Sequence, residues 1–190
     1  MVEDSSTRTV PIKLDMDESA AGLLHQTTDH FLDAANHIVD VAWEPDWKIT
    51  SKQKLHELTY YDVREDSPLP ANLVQAARNR AAEAVKGCVE RWKNGKKASK
   101  PHFTSRFASY DARTVTINDD HATLATIDGR VTAEFVLPNK QRDTPHSAYL
   151  FNEDYDVNGA TLHYDTVEEC FYLHVRTKPA VENDDAEQGD

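Results

Sequence analysis

The order of hydrophobic patterning constrains this chain more than any single motif. One alternating strand comes first, then about eighty residues of helical periodicity, then six further strand-like runs. Val10, Ile12 and Leu14 alternate with polar neighbours over residues 9–15. A lone strand cannot bury a face by itself, so it has to pair with strands that come much later. The pattern predicts an α+β fold: a β-barrel or sandwich built from residues 8–15 and 101–178, with a helical insertion over 16–100. Residues 1–7 and 179–190 are expected as disordered tails. Pro11 lacks an N–H, which predicts an edge position or a bulge for the first strand.

Three helices are expected in the insertion. The first starts near Ser19, carries Leu23, Leu24, Phe31, Ala34, Ala35, Ile38, Val39 and Ala42 at helical spacing, and stops near Pro45. Thr50 followed by Gln53 resembles a capping box and predicts a second helix from Ser51 to about Tyr61. The third follows Pro70 and ends at Asn94-Gly95. Its stripe is Leu73, Ala77, Ala81, Val85, Cys88 and Trp92, which places Trp92 in the core. The strand candidates are 102–107, 113–117, 121–126, 130–137, 160–164 and 170–177. Asp128-Gly129 predicts a two-residue hairpin turn, and residues 138–159 are expected as a loop.

Charge is distributed unevenly. The chain carries a formal −12, yet residues 86–106 hold Lys86, Arg91, Lys93, Lys96, Lys97, Lys100 and Arg106 against the single acid Glu90. Trp92, His102 and Phe103 are interleaved. Cations beside flat rings suit a phosphate backbone and exposed bases; a solvated helix end is the plain alternative. Elsewhere the acid is scattered over the chain, which fits adaptation to high salt. Salt weakens phosphate binding steeply, so a binder under those conditions needs stacking and hydrogen bonds as well as charge.

Cys88 and Cys170 are the only cysteines, the usage of a reduced, cytoplasmic protein. No apolar run approaches a membrane span, so no membrane partner is expected. His30 and His37 could share a helical face, but no zinc-ligand spacing accompanies them, and no metal or other cofactor is expected in this chain. The sequence has no GxSxG, P-loop or GxGxxG element, so no catalytic residue is assigned and no enzymatic activity is expected of it.

The run LPANLVQAARNRAAEAVKGCVERWKNGKKASKPHF resembles the N-terminal part of the TnpB/OrfB family, the RNA-guided DNA endonucleases of insertion sequences often described as transposases. Gln75, Ala76, Ala77, Ala81 and Ala84, followed by a basic stretch and Lys100-Pro101-x-Phe103, carry the likeness. SKQKLHELTYYDVRE, RDTPHSAYLFNEDY and CFYLHVRTK look like a halophilic archaeal branch of the same family. The resemblance implies a wedge-type, OB-like barrel with a three-helix recognition lobe inserted after the first strand. It also implies guide RNA and DNA as partners. In the family a RuvC nuclease domain with bound magnesium and a zinc ribbon follows. Its V-D-x-G strand does not occur in these 190 residues, so a fragment or a truncated copy without a nuclease centre is expected. The alternatives are an acidic protein-interaction module and a cleavage-dead, repressor-like truncation.

Under this resemblance Gln75 and Asn79, one turn apart, are candidate contacts to bases or backbone. Tyr60 and Tyr61 are candidate stacking platforms, with packing against the third helix as the alternative. Arg78 and Arg80 flank Asn79 and have Glu83 or Asp62 as alternative partners. Lys52 and Lys54 sit at a helix start, where the dipole disfavours cations, which favours an external anion. Lys86, Arg91, Lys93, Lys96, Lys97 and Lys100 are candidate phosphate contacts. Thr104 and Arg106 are expected to face nucleic acid from alternate positions of a strand.

Overall fold

A computed structural model describes residues 7–138 and 144–180. Seven strands and three α-helices follow the chain as β1 (Arg8–Asp15), α1 (Glu18–Ala42), α2 (Lys52–Asp66), α3 (Ala71–Lys93), β2 (Phe107–Tyr110), β3 (Val115–Ile117), β4 (His121–Ala125), β5 (Arg130–Val136), β6 (Tyr155–Asp165) and β7 (Cys170–Pro179). A π-helical turn, His146–Leu150, lies between β5 and β6. The fold is α+β, with one curled antiparallel sheet forming a half-barrel in the order β2-β6-β7-β1-β5-β4-β3. β2 and β3 are the edges, yet only residues 111–114 connect them. That short link draws the two edges together. Tyr110 Oη donates to Ala125 O at 2.9 Å across the gap, and Ala125 N donates to Thr114 O at 2.8 Å. Among the described residues no helix is long and apolar enough to cross a membrane.

The helices form where capping and apolar spacing agree. Asp17 Oδ1 accepts from Ala20 N at 2.8 Å, closing the start of α1. Ser51, and not Thr50, caps α2 by accepting from Lys54 N, and α2 runs a turn beyond Tyr61. α3 ends in a Schellman motif: Gly95 takes φ +70, Gly95 N donates to Trp92 O, and Lys96 N donates to Arg91 O. Ala77, Ala81 and Ala82 on α3 and Ala34 and Ala35 on α1 are buried, so the two helices approach closely. Leu24, Phe31 and Ile38 of α1 and Leu73 and Val85 of α3 join Ile12, Leu162 and Leu173 of the sheet in one core. Each such side chain contributes about 1.5–3 kcal/mol by leaving water.

Five local expectations fail for physical reasons. Pro11 lies in the central strand of the sheet, neither at an edge nor at a bulge. β5 pairs only with Lys13–Asp15, so beside Pro11 one side of β1 is open and its carbonyl accepts from His146 Nε2 at 2.8 Å. Residues 102–106 are not a strand. Asn36 of α1 captures them, donating from Nδ2 to Phe103 O at 2.9 Å and accepting from Phe103 N at 2.8 Å. The β4–β5 turn is closed by Thr126 N donating to Gly129 O, so Gly129, at φ +74, ends the turn instead of occupying its centre. β6 begins at Tyr155, inside the expected loop, and a bulge between Val157 and Ala160 hides its alternation. Lys178 and Pro179 pair with Asp156 and Tyr155, so β7 extends into the expected tail. The remaining tail expectations, for residues 1–6 and 181–190, lie outside the described residues.

The Asn36 clamp gives a first test. Asn36→Ala strands the backbone N–H and C=O of Phe103, and is expected to cost about 1–3 kcal/mol. A urea midpoint unchanged from wild type would show that the clamp contributes nothing.

Candidate nucleic-acid interface

Beyond the Schellman turn the chain folds back onto the last turn of α3. Arg91 Nε and Nη2 donate to Lys97 O at 3.2 and 3.1 Å, and Trp92 Nε1 donates to Ala98 O at 3.1 Å. Trp92 is therefore not in the core. It is 39% exposed, its ring lies 5.3 Å from Trp43, and Lys48 Nζ sits 4.7 Å from the Trp43 ring. This wrapped end presents Lys86, Lys93, Lys96 and Lys97 to solvent, with no carboxylate within 4 Å among the described residues.

The other basic residues of the run are engaged within the protein. Lys100 pairs with Asp40 of α1. Arg106 pairs with Asp29 at 2.7 Å and meets His25 Nδ1 at 3.1 Å. Its guanidinium thus fastens the crossing segment to α1 and does not face outward from a strand. Thr104 lies in the same irregular segment and lines a shallow pocket of about 250 Å³ with Arg80, His102, Phe107 and His163.

The candidates on α2 and α3 separate into two groups. Lys54 is exposed, and Lys52 bridges to Glu83 of α3 at 3.6 Å. Tyr60 is half-buried against His56, ring centroids 4.5 Å apart, while Tyr61 is 79% exposed. Arg78 turns inward: Nη1 meets His56 Nδ1 at 2.9 Å and Nη2 donates to Asn79 Oδ1 at 2.9 Å. Burial lowers its pKa from the ordinary guanidinium value. Gln75 is half-buried one turn before Asn79 but does not share its cleft.

That cleft, of about 390 Å³, opens between α3 and the outward face of β2, β6 and β7. Asn79, Arg80 and Glu83 line it from α3, Ser109 and Thr161 from the sheet, Asp111 and Arg113 from the β2–β3 link, and Arg176 from β7. Asp111 is held below its ordinary carboxylate value by hydrogen bonds from Arg113, including one from Nη2 at 2.8 Å, against the opposing effect of burial. Arg176 Nη1 donates to Thr161 Oγ1 at 3.0 Å. Sequence reasoning missed Arg113, Arg176, Ser109 and Thr161. A signal was present in the polar members of the β6 and β7 alternation, Thr161 and His163, then His174 and Arg176.

His163 and His174 stand side by side on this face, ring centroids 4.7 Å apart. Burial lowers the pKa of both, and the charges of His174 and Arg80 lower that of His163 further. His25 is lowered by burial and by Arg106, more than Asp29 raises it. With folded values below the ordinary value of about 6.5, the unfolded chain takes up protons first. The stability these groups contribute is present above about pH 6.5 and is lost as pH falls through their folded values. The melting temperature is expected to drop between pH 7.5 and 5; a flat or rising profile would contradict this. No protein-family model and no curated protein matches this sequence.

Proposed function

We propose that this chain binds nucleic acid, as the N-terminal region of a TnpB-like, transposon-encoded RNA-guided DNA endonuclease. It grips guide RNA and target-adjacent DNA and contributes no nuclease centre of its own. The observation that carries the reading is the wrapped end of α3. There Lys86, Lys93, Lys96 and Lys97 stand exposed, without acidic partners among the described residues, on a chain of net charge −12. An acidic surface that leaves four clustered lysines uncompensated favours a polyanionic partner.

Two further features support it. The order of one strand, three α-helices and six strands is the order the TnpB/OrfB resemblance implies for a barrel carrying a recognition lobe. Asn79 and Arg80, carried over as contacts, both line the cleft between α3 and the sheet. Asn79 Oδ1 is occupied by Arg78, which leaves its amide N–H groups to donate outward. The experiment is an anisotropy titration of structured RNA and duplex DNA against wild type and a Lys93→Glu/Lys96→Glu/Lys97→Glu variant, over a range of salt. Equal affinities would overturn the reading. Leu58 and Tyr61, exposed three residues apart on α2, favour a protein partner as the second reading; co-purification with protein and without RNA is its sign.

A further inference from the structure

We propose that the cleft between α3 and the outward face of β2, β6 and β7 binds a single phosphate group through Arg176, Arg80, Ser109 and Asn79. The first indication is a pair of orphaned donors. Among the described residues, four buried side-chain polar atoms have no hydrogen-bond partner, and two of them, Arg80 Nε and Ser109 Oγ, belong to residues lining this one cleft. As the side chains stand both atoms are shielded from solvent, so a side-chain rotation has to bring them onto an anion in the cleft; buried donors left unpaired are rare in folded proteins.

The second indication is Arg176. Among the described residues its guanidinium has no carboxylate within 4 Å; Thr161 Oγ1 anchors one nitrogen. Gly159, at φ +87, makes room for it: a Cβ there would lie 2.7 Å from Arg176 Nη2. A positioned guanidinium with free N–H groups is suited to fork onto an oxyanion.

The third is the charge balance of the walls. Asp111 is occupied by Arg113, and Glu83 is shared between Lys52 and Arg80. The cleft acids are thus engaged while Arg176 is not. Donors on α3, β2 and β7 enclose the space from different sides, which fits a tetrahedral anion better than a planar carboxylate.

The site is separate from the lysine cluster. Lys86, its nearest member, lies roughly 9 Å beyond Arg80 along α3 and Lys93 roughly 20 Å beyond it, so phosphate binding in the cleft is tested apart from RNA binding by Lys93, Lys96 and Lys97. The test is calorimetric titration of the full chain with inorganic phosphate at fixed ionic strength. Wild type is expected to bind saturably, with Arg176→Ala and Arg176→Lys each weakening binding by about tenfold or more and Ser109→Ala by about two- to fivefold. The Lys93→Glu/Lys96→Glu/Lys97→Glu variant is expected to bind phosphate as wild type does. Circular dichroism establishes that each variant is folded. A dinucleoside monophosphate that displaces phosphate assigns the site to a polynucleotide backbone; displacement by a nucleoside monophosphate alone assigns it to a small phosphomonoester. Absence of saturable binding by wild type, undiminished binding by both Arg176 variants, or an equal loss in the lysine variant would overturn the proposal.

Discussion

Replacing Lys93, Lys96 and Lys97 with glutamate is expected to lower the affinity for structured RNA by about a hundredfold or more. The slope of log affinity against log salt should shallow by about two to three, close to one contact per lysine. The three side chains are exposed and, among the described residues, form no ion pair, so their replacement breaks none there. Thermal stability should stay within about 0.5 kcal/mol of wild type. Lys100→Glu and Arg106→Glu provide the contrast. They break the pairs with Asp40 and Asp29 and place like charges together. Their signature is a small loss of stability, since partly exposed pairs contribute about 0–1 kcal/mol, with little change in the salt slope. A lysine variant that keeps both its affinity and its slope would remove the main support for a nucleic-acid partner.

Much of the fold was legible because it rests on local rules. The apolar stripe of α1, the alanines of α3 and the Asn94-Gly95 stop are all within-helix signals, and the structure follows them. The segment 102–106 was not, because its backbone is claimed by Asn36, a partner from another element. Its Phe103, four residues before Phe107 of β2, mimics a strand position while tertiary contacts hold the segment irregular. Trp92 shows a different failure. Periodicity places it on the buried stripe, but at the final turn of α3 the ring meets Trp43, Lys48 and the Ala98 carbonyl instead of the core, and stays partly exposed. Pro11 was misplaced because strand order alone does not reveal that β5 ends before reaching it.

The candidate site divides the same way. A run of lysines is visible in any linear reading, although which of them face solvent is not. The lysine that pairs with Asp40 and those without an ion pair among the described residues look alike in sequence. The arginine cleft was invisible because α3, the β2–β3 link and β7 each supply one arginine. Arg113 follows β2 by three residues, and the β2-β6-β7 order of the sheet brings it beside Arg176, with Arg80 facing both from α3.

Gly159→Ala tests that assembly from the backbone outward. Gly95, Gly129 and Gly159 all adopt positive φ, at +70, +74 and +87. At Gly129 an added Cβ would meet nothing within 4 Å, so Gly129→Ala carries only the conformational penalty, about 1–2 kcal/mol. At Gly159 the same Cβ would lie 2.7 Å from Arg176 Nη2 and 2.9 Å from Tyr110 O. The arginine can move aside, but the carbonyl belongs to the backbone of β2, directly opposite the bulge in β6. Gly159→Ala is therefore expected to cost about 2–4 kcal/mol, clearly more than Gly129→Ala. For a chain of this size that is a fall in melting temperature of about 2–4 °C per kcal/mol. If Gly159→Ala and Gly129→Ala melt together, the close approach of Arg176 and β2 to the bulge is wrong. The arginine cleft would then lose the feature that holds it in shape.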